Sequence, residues 1–202
     1  RWNHPQLGVL SPGRFIPLLE REGRVSLLDF YSMERACAFL EELAGRQTGN
    51  FFVSCNFSRQ TFSSPDFVKQ CSAILKRYAF DRKLLILEVT ETQRVSKEGH
   101  AQMQQNIMDV RALGVRVIFD DFGMGFSSFH DLQEYPMDGL KLDKYLVDHM
   151  WTPRGKAILG GLVQTGHALG LTILAEGVES DQQVEVLRQL HCDVLQGYRF
   201  SV

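Results

Sequence analysis

The sequence predicts an α/β fold built on a parallel sheet buried on both faces. Short runs rich in apolar, β-branched and aromatic residues recur along the chain, and longer patterns with apolar residues three and four apart lie between them. That alternation reads as successive βαβ units. Composition agrees: with 202 residues, 44% hydrophobic and 23% charged, the chain has the make-up of a soluble globular domain rather than a disordered, collagen-like or coiled-coil one.

From the N-terminus, a short helical pattern over Ser11 to Glu22 precedes an amphipathic one from Ser26 to Leu43, marked by Leu27, Leu28, Tyr31, Cys37, Phe39, Leu40 and Leu43. The strand-like runs are FFVSCN at 51–56, LLILEV at 84–89, VRVIFD at 115–120, GLKLD at 139–143, LTILAE at 171–176 and DVL at 193–195. Helical patterns separate them over 65–78, 97–113, 145–150 with 154–169, and 181–190. Six runs suit either an open doubly wound sheet or a (β/α)8 barrel with two of its strands outside the chain. No linker-like tract or internal repeat divides the sequence, so residues 1–202 read as a single domain.

Charge and patterning exclude several function classes. Lys and Arg number 22 against 24 Asp and Glu, a net charge of −2, so there is no general field for a nucleic-acid polymer or an anionic membrane. The longest apolar runs fall far short of a membrane span, and the first residues carry no signal-peptide pattern, so a cytoplasmic domain without membrane contact is expected. Cys37, Cys55, Cys71 and Cys192 lack paired spacing and read as free thiols.

Polar residues close these apolar runs. Asn56 ends the first and Glu88 lies near the end of the second; Asp120 and Asp121 close the third, Lys141 and Asp143 the fourth, Glu176 the fifth, and Gln196 follows the sixth. In a parallel α/β fold the C-terminal ends of all strands share one face, so these residues converge there. Any one acid could be a helix N-cap, but Glu88 and Glu176 sit within or flush with apolar runs. Carboxylates crowded together repel unless protonated or bridged by cations. Oxygen donors without His or Cys form the ligand set of a hard cation such as Mg2+, Mn2+ or Ca2+. Lys141 stands among them, where a lysine can orient a water or balance charge at a phosphoryl centre. Asp121-Phe122-Gly123 has the form of a kinase metal motif, but no glycine-rich phosphate loop or His-Arg-Asp triplet accompanies it. The six histidines have no paired ligand spacing.

Taken together, NFS at 56–58, EVTET at 88–92, DDFGMGFSS at 120–128, KLD at 141–143, AEGVE at 175–179 and QGY at 196–198 resemble the EAL-domain family of cyclic-di-GMP phosphodiesterases. The resemblance runs through the whole chain in order. It implies a (β/α)8 TIM-type barrel with six of the eight strands in this chain, and two Mg2+ or Mn2+ ions at its C-terminal face. It further implies that Asn56, Glu88 and Asp120 ligate one ion, that Asp121 ligates the other with Asp120 between them, that Glu176 holds a metal or takes a proton from water, and that Lys141 orients that water. Glu91 would anchor the loop over 121–128. Arg1 would touch a substrate phosphate and Glu179 the guanine edge, with Asp143 and Gln196 completing the substrate pocket.

Arg1-Trp2 resembles the tail of the family's naming motif, whose glutamate, by the same resemblance a further metal ligand, would precede Arg1, so the resemblance reads as an N-terminally incomplete domain. Departures include Thr61 where the family has Gln, His191 for Gly, Met124 for a small residue or Thr, and Phe126 for Tyr. The implied reaction is metal-dependent hydrolysis of cyclic-di-GMP to linear pGpG in bacterial signalling, with a homodimer allowed and fusion to sensory or diguanylate-cyclase domains expected. The alternatives are a receptor that binds cyclic-di-GMP without cleaving it, and an unrelated metal-dependent barrel enzyme acting on a carboxylate.

Overall fold

The computed structural model describes residues 1–44, 51–90, 96–122 and 129–200. The chain opens with an antiparallel hairpin, β1 (Trp2–His4) and β2 (Gly8–Leu10), followed by helices α1 (Pro12–Arg21) and α2 (Val25–Leu43). The sequence pattern misses this hairpin, because three-residue strands offer too few positions for an alternation to register.

Among the described residues the main sheet has six strands, all parallel and in sequential order: β3 (Val53–Ser58), β4 (Leu85–Thr90), β5 (Arg116–Phe122), β6 (Gly139–Leu142), β7 (Thr172–Ala175) and β8 (Val194–Leu195). Each expected run is a strand, displaced by a residue or two at its ends. The first differs most, since the ladder passes Asn56 to pair Ser58 with Thr90.

Between strands lie α3 (Arg59–Phe62) with α4 (Phe67–Leu75), α5 (Lys97–Ala112), α6 (Phe129–Glu134), α7 (Lys144–Asp148) with α8 (Pro153–Ala168), and α9 (Asp181–Gln189). Side-chain caps start several of them: Ser96 for α5, Asp143 for α7, Thr152 for α8, and a reciprocal Ser180–Gln183 capping box for α9.

Two-residue alternation gives the sheet two different faces. Cys55, Phe57, Leu87, Val89, Val117, Phe119, Leu140, Leu142, Ile173 and Ala175 join the core built with the helices. Ile86, Ile118 and Leu174 are buried on the opposite face, where they line a cavity of about 320 Å³. One rung further along, that second face turns polar. Asn56 pairs in register with Glu88, and Lys141 follows Gly139 by two residues on the same face. This sequentially ordered parallel sheet with its helices is part of a (β/α)8 barrel, the alternative that the family resemblance implies over an open doubly wound sheet. Cys37, Cys55 and Cys71 are buried and Cys192 partly so, all as free thiols.

Candidate active site

The centre of the polar face is Lys141. Its Nζ lies 2.9 Å from Asp120 Oδ1, 2.9 Å from Glu176 Oε2 and 3.2 Å from Glu88 Oε2. Glu88, Asp120 and Lys141 are buried, while Glu176 is about a quarter exposed. Burial works against the Lys141 ammonium, but the charges of Glu88 and Asp120 outweigh it and hold the group above the ordinary lysine range. β4, β5, β6 and the end of β7 each supply one member, so residues spread over almost ninety positions meet within a few ångströms.

Asp121 stands differently from its neighbour. It has a positive φ of 52°, and its backbone N–H donates to Asp120 Oδ1 at 3.0 Å. The strand ladder is irregular between Phe119 and Phe122, which is how two consecutive residues at a strand end can both face the pocket. One carboxylate oxygen each from Asp120, Asp121 and Glu176 lies within 4.8 Å of the others. Burial, reinforced by Asp120 and Glu176, pushes the Asp121 carboxyl up to about 6. With Lys141 already shared among three acids, the group is short of positive charge. An all-oxygen set with that deficit fits a hard divalent cation.

The remaining expected residues fall at varied distances from this centre. Asn56 and Arg1 line one cavity of about 710 Å³ with Asp120 and Asp121, bounded by α1, α2 and β3. Asp143 is engaged as the N-cap of α7, accepting from the Tyr145 N–H at 2.6 Å. Glu179 pairs with Lys144 at 2.9 Å, outside the carboxylate cluster. Gln196 is exposed, and its backbone bridges Ala175 and Val178. Glu91 and residues 123–128 lie outside the described residues.

Sequence reading misses Asp29. This buried carboxylate accepts from the Ser58 N–H at 3.0 Å, Ser58 Oγ at 3.1 Å and Thr61 Oγ1 at 2.6 Å, tying α2 to the end of β3. Burial raises its pKa against the pull of the Thr61 and Ser58 hydrogen bonds. The signal was Thr61 itself, noted above as a departure from the family pattern.

Known proteins resemble the chain in sequence and in fold. The chain is 34% identical to cyclic di-GMP phosphodiesterase RocR of Pseudomonas aeruginosa and 36% identical to oxygen sensor protein DosP of Escherichia coli. All of this chain is matched in both cases, covering 51% of RocR and 25% of DosP. The chain thus spans about half of one of these curated relatives and a quarter of the other. Among solved structures, the PaMucR phosphodiesterase in complex with c-di-GMP superposes with a TM-score of 0.88 at 31% identity, over all of this chain and 81% of that one. The EAL enzyme Bd1971 with cAMP and cyclic-di-GMP bound gives 0.89 at 30% identity, over all of this chain and 55% of that one. The family pattern described as the EAL domain matches residues 1–202, the whole of the chain, which therefore belongs to the EAL domain family.

Proposed function

We propose that this domain hydrolyses cyclic-di-GMP to linear pGpG in a divalent-metal-dependent reaction. The observation that carries the reading is the Asp120–Asp121–Glu176 carboxylate cluster beside Lys141. Asn56, Glu88, Asp120 and Asp121 would hold two Mg2+ or Mn2+ ions, which when bound neutralise phosphodiester charge and make water acidic enough to attack near neutral pH. Glu176, the most exposed of the Lys141 partners, would accept the proton of the attacking water. Lys141, held charged by its acids, orients that water and offsets charge on the phosphoryl oxygens.

Arg1, which lines the cavity, would contact a substrate phosphate. Glu179 would accept from the guanine N1–H and N2–H2 donors, in competition with Lys144. Asp143 and Gln196 would close the pocket, and Glu91 would anchor the loop after Asp121. A cytoplasmic domain fused to sensory or diguanylate-cyclase units, able to pair with a second copy, belongs to the same proposal.

The test is the metal-dependent appearance of pGpG from cyclic-di-GMP, measured chromatographically with Mg2+, Mn2+ or excess EDTA. It is run on the 202-residue chain and on a polypeptide carrying two further strands beside β3. Product that requires metal supports the reading; tight binding of intact cyclic-di-GMP without product from either polypeptide replaces it with a receptor.

A further inference from the structure

A buried ion pair outside the carboxylate cluster links the two sides of the site. Arg59 opens α3, three residues after Asn56, and Asp131 lies in the first turn of α6, ten residues after Asp121. Arg59 Nη2 donates to Asp131 Oδ2 at 3.0 Å, and both side chains are almost fully buried. A buried ion pair typically stabilises a fold no better than apolar side chains of similar volume, so its benefit is sought in geometry.

α5 frames both partners. Asn106 Nδ2 donates to the carbonyls of Phe62 and Ser64 at the end of α3, at 2.6 and 2.8 Å. Gln104 Nε2 donates to the Glu134 carbonyl at 2.7 Å, and the His100 ring hydrogen-bonds the Tyr135 hydroxyl. α3 and α6 are therefore each hung on α5, and Arg59–Asp131 closes the third side of the frame. In the sheet, β4 separates β3, with Asn56, from β5, with Asp120 and Asp121. The pair thus spans from one side of the site to the other.

Building on the metal-dependent reading above, we infer that Arg59 and Asp131 are positioning residues that fix the spacing between Asn56 and the Asp120–Asp121 pair, and thereby set metal affinity. Because α5 holds α3 and α6 independently, losing the pair loosens the spacing without unfolding the domain.

The test uses Arg59→Met with Asp131→Leu, which keeps the interior filled, and Arg59→Lys, which keeps the charge but loses the guanidinium fork. Mn2+ affinity is measured by electron paramagnetic resonance and α6 amide exchange by mass spectrometry; kcat and KM are measured where turnover is present. The double variant should melt close to wild type, bind Mn2+ ~10-fold more weakly, exchange α6 amides faster and lose kcat ~10–100-fold with KM little changed. Arg59→Lys should fall between the two. Wild-type Mn2+ affinity in the double variant overturns the inference; if that variant fails to fold, wild-type affinity in Arg59→Lys overturns it instead. A wild-type chain that binds Mn2+ and never yields pGpG sinks the hydrolase reading alone, leaving the affinity comparison to decide the positioning role.

Discussion

Asp120 and Asp121 are adjacent in sequence yet face opposite electrostatics. Asp120 is paired with Lys141, whereas Asp121 is pushed up to about 6 from 3.8 by burial and then by Asp120 and Glu176. A carboxyl whose folded pKa exceeds its unfolded value contributes stability that is full below the unfolded pKa and lost as pH rises through the folded one. Metal-free protein should therefore lose stability from this group between about pH 4 and pH 7. Asp121→Asn should remove that loss, and Asn tolerates the left-handed backbone at this position. Urea unfolding in EDTA should find the variant on the order of 1 kcal/mol more stable than wild type at pH 7.5, with no advantage near pH 4. A destabilised variant at pH 7.5 would mean that Asp121 is satisfied without metal. Lys141→Met should behave oppositely, leaving Glu88 and Asp120 buried without their cation and costing about 3 kcal/mol or more, with partial recovery on adding Mg2+. Glu88→Gln and Asp120→Asn should each cut metal-dependent turnover by more than ~100-fold, the upper end of the loss when an outer partner of a ligand is removed. Turnover near wild type at saturating Mn2+ would remove them from the ligand set.

The junction of β7 and β8 shows how closely two segments are packed to place Glu176 and Gln196. Val178 N–H donates to the Gln196 carbonyl at 3.0 Å, Arg199 N–H to the Val178 carbonyl at 3.0 Å, and Gln196 N–H to the Ala175 carbonyl at 2.9 Å. Gly197 lies inside this weave, and a Cβ there would come within 2.2 Å of the Val178 carbonyl oxygen, a backbone atom that cannot swing aside. Gly197→Ala should therefore separate the segments, costing about 1–3 kcal/mol. It should lower kcat more than a core substitution of equal cost placed far from the site, such as Leu159→Ala in α8. Equal effects of the two on kcat would show that the junction matters only for stability. Elements of this kind were legible to different degrees. Lys141 and Glu88 could be read from sequence because polar residues interrupt strongly apolar strands, and the parallel topology leaves them one place to go. Gly197 was not, since its constraint comes from the backbone of residue 178. Asp29 and the Arg59–Asp131 pair escaped for a similar reason: their partners lie 29 and 72 residues away, beyond any local periodicity.

A barrel has no sheet edges, but here neither the outer side of β3 nor that of β8 has a strand partner among the described residues. The consequences are concentrated beside β3. The cavity of about 710 Å³ between α1, α2 and β3 contains Asn56, Asp120 and Asp121, so the carboxylate cluster is open along that side. Leu18, Leu27, Tyr31 and Phe39 on the same two helices are exposed. Unpaired edges and contiguous apolar surface both promote association with other chains. The 202-residue polypeptide studied alone should therefore sediment as a concentration-dependent mixture and hydrolyse cyclic-di-GMP poorly. Extending it with a two-strand segment of an EAL domain, including the naming glutamate, should cover the cavity, pair β3 and β8, and supply one more carboxylate to the metals. The same extension with that glutamate changed to alanine should restore a monodisperse, cooperatively melting protein while leaving turnover low. Comparing the three side by side, by sedimentation, thermal melting and metal-dependent pGpG formation, separates the contribution of closure from that of the ligand. Brisk metal-dependent turnover by the 202 residues alone would refute the prediction, because it would mean that the cluster around Lys141 is sufficient with its β3 side open to water.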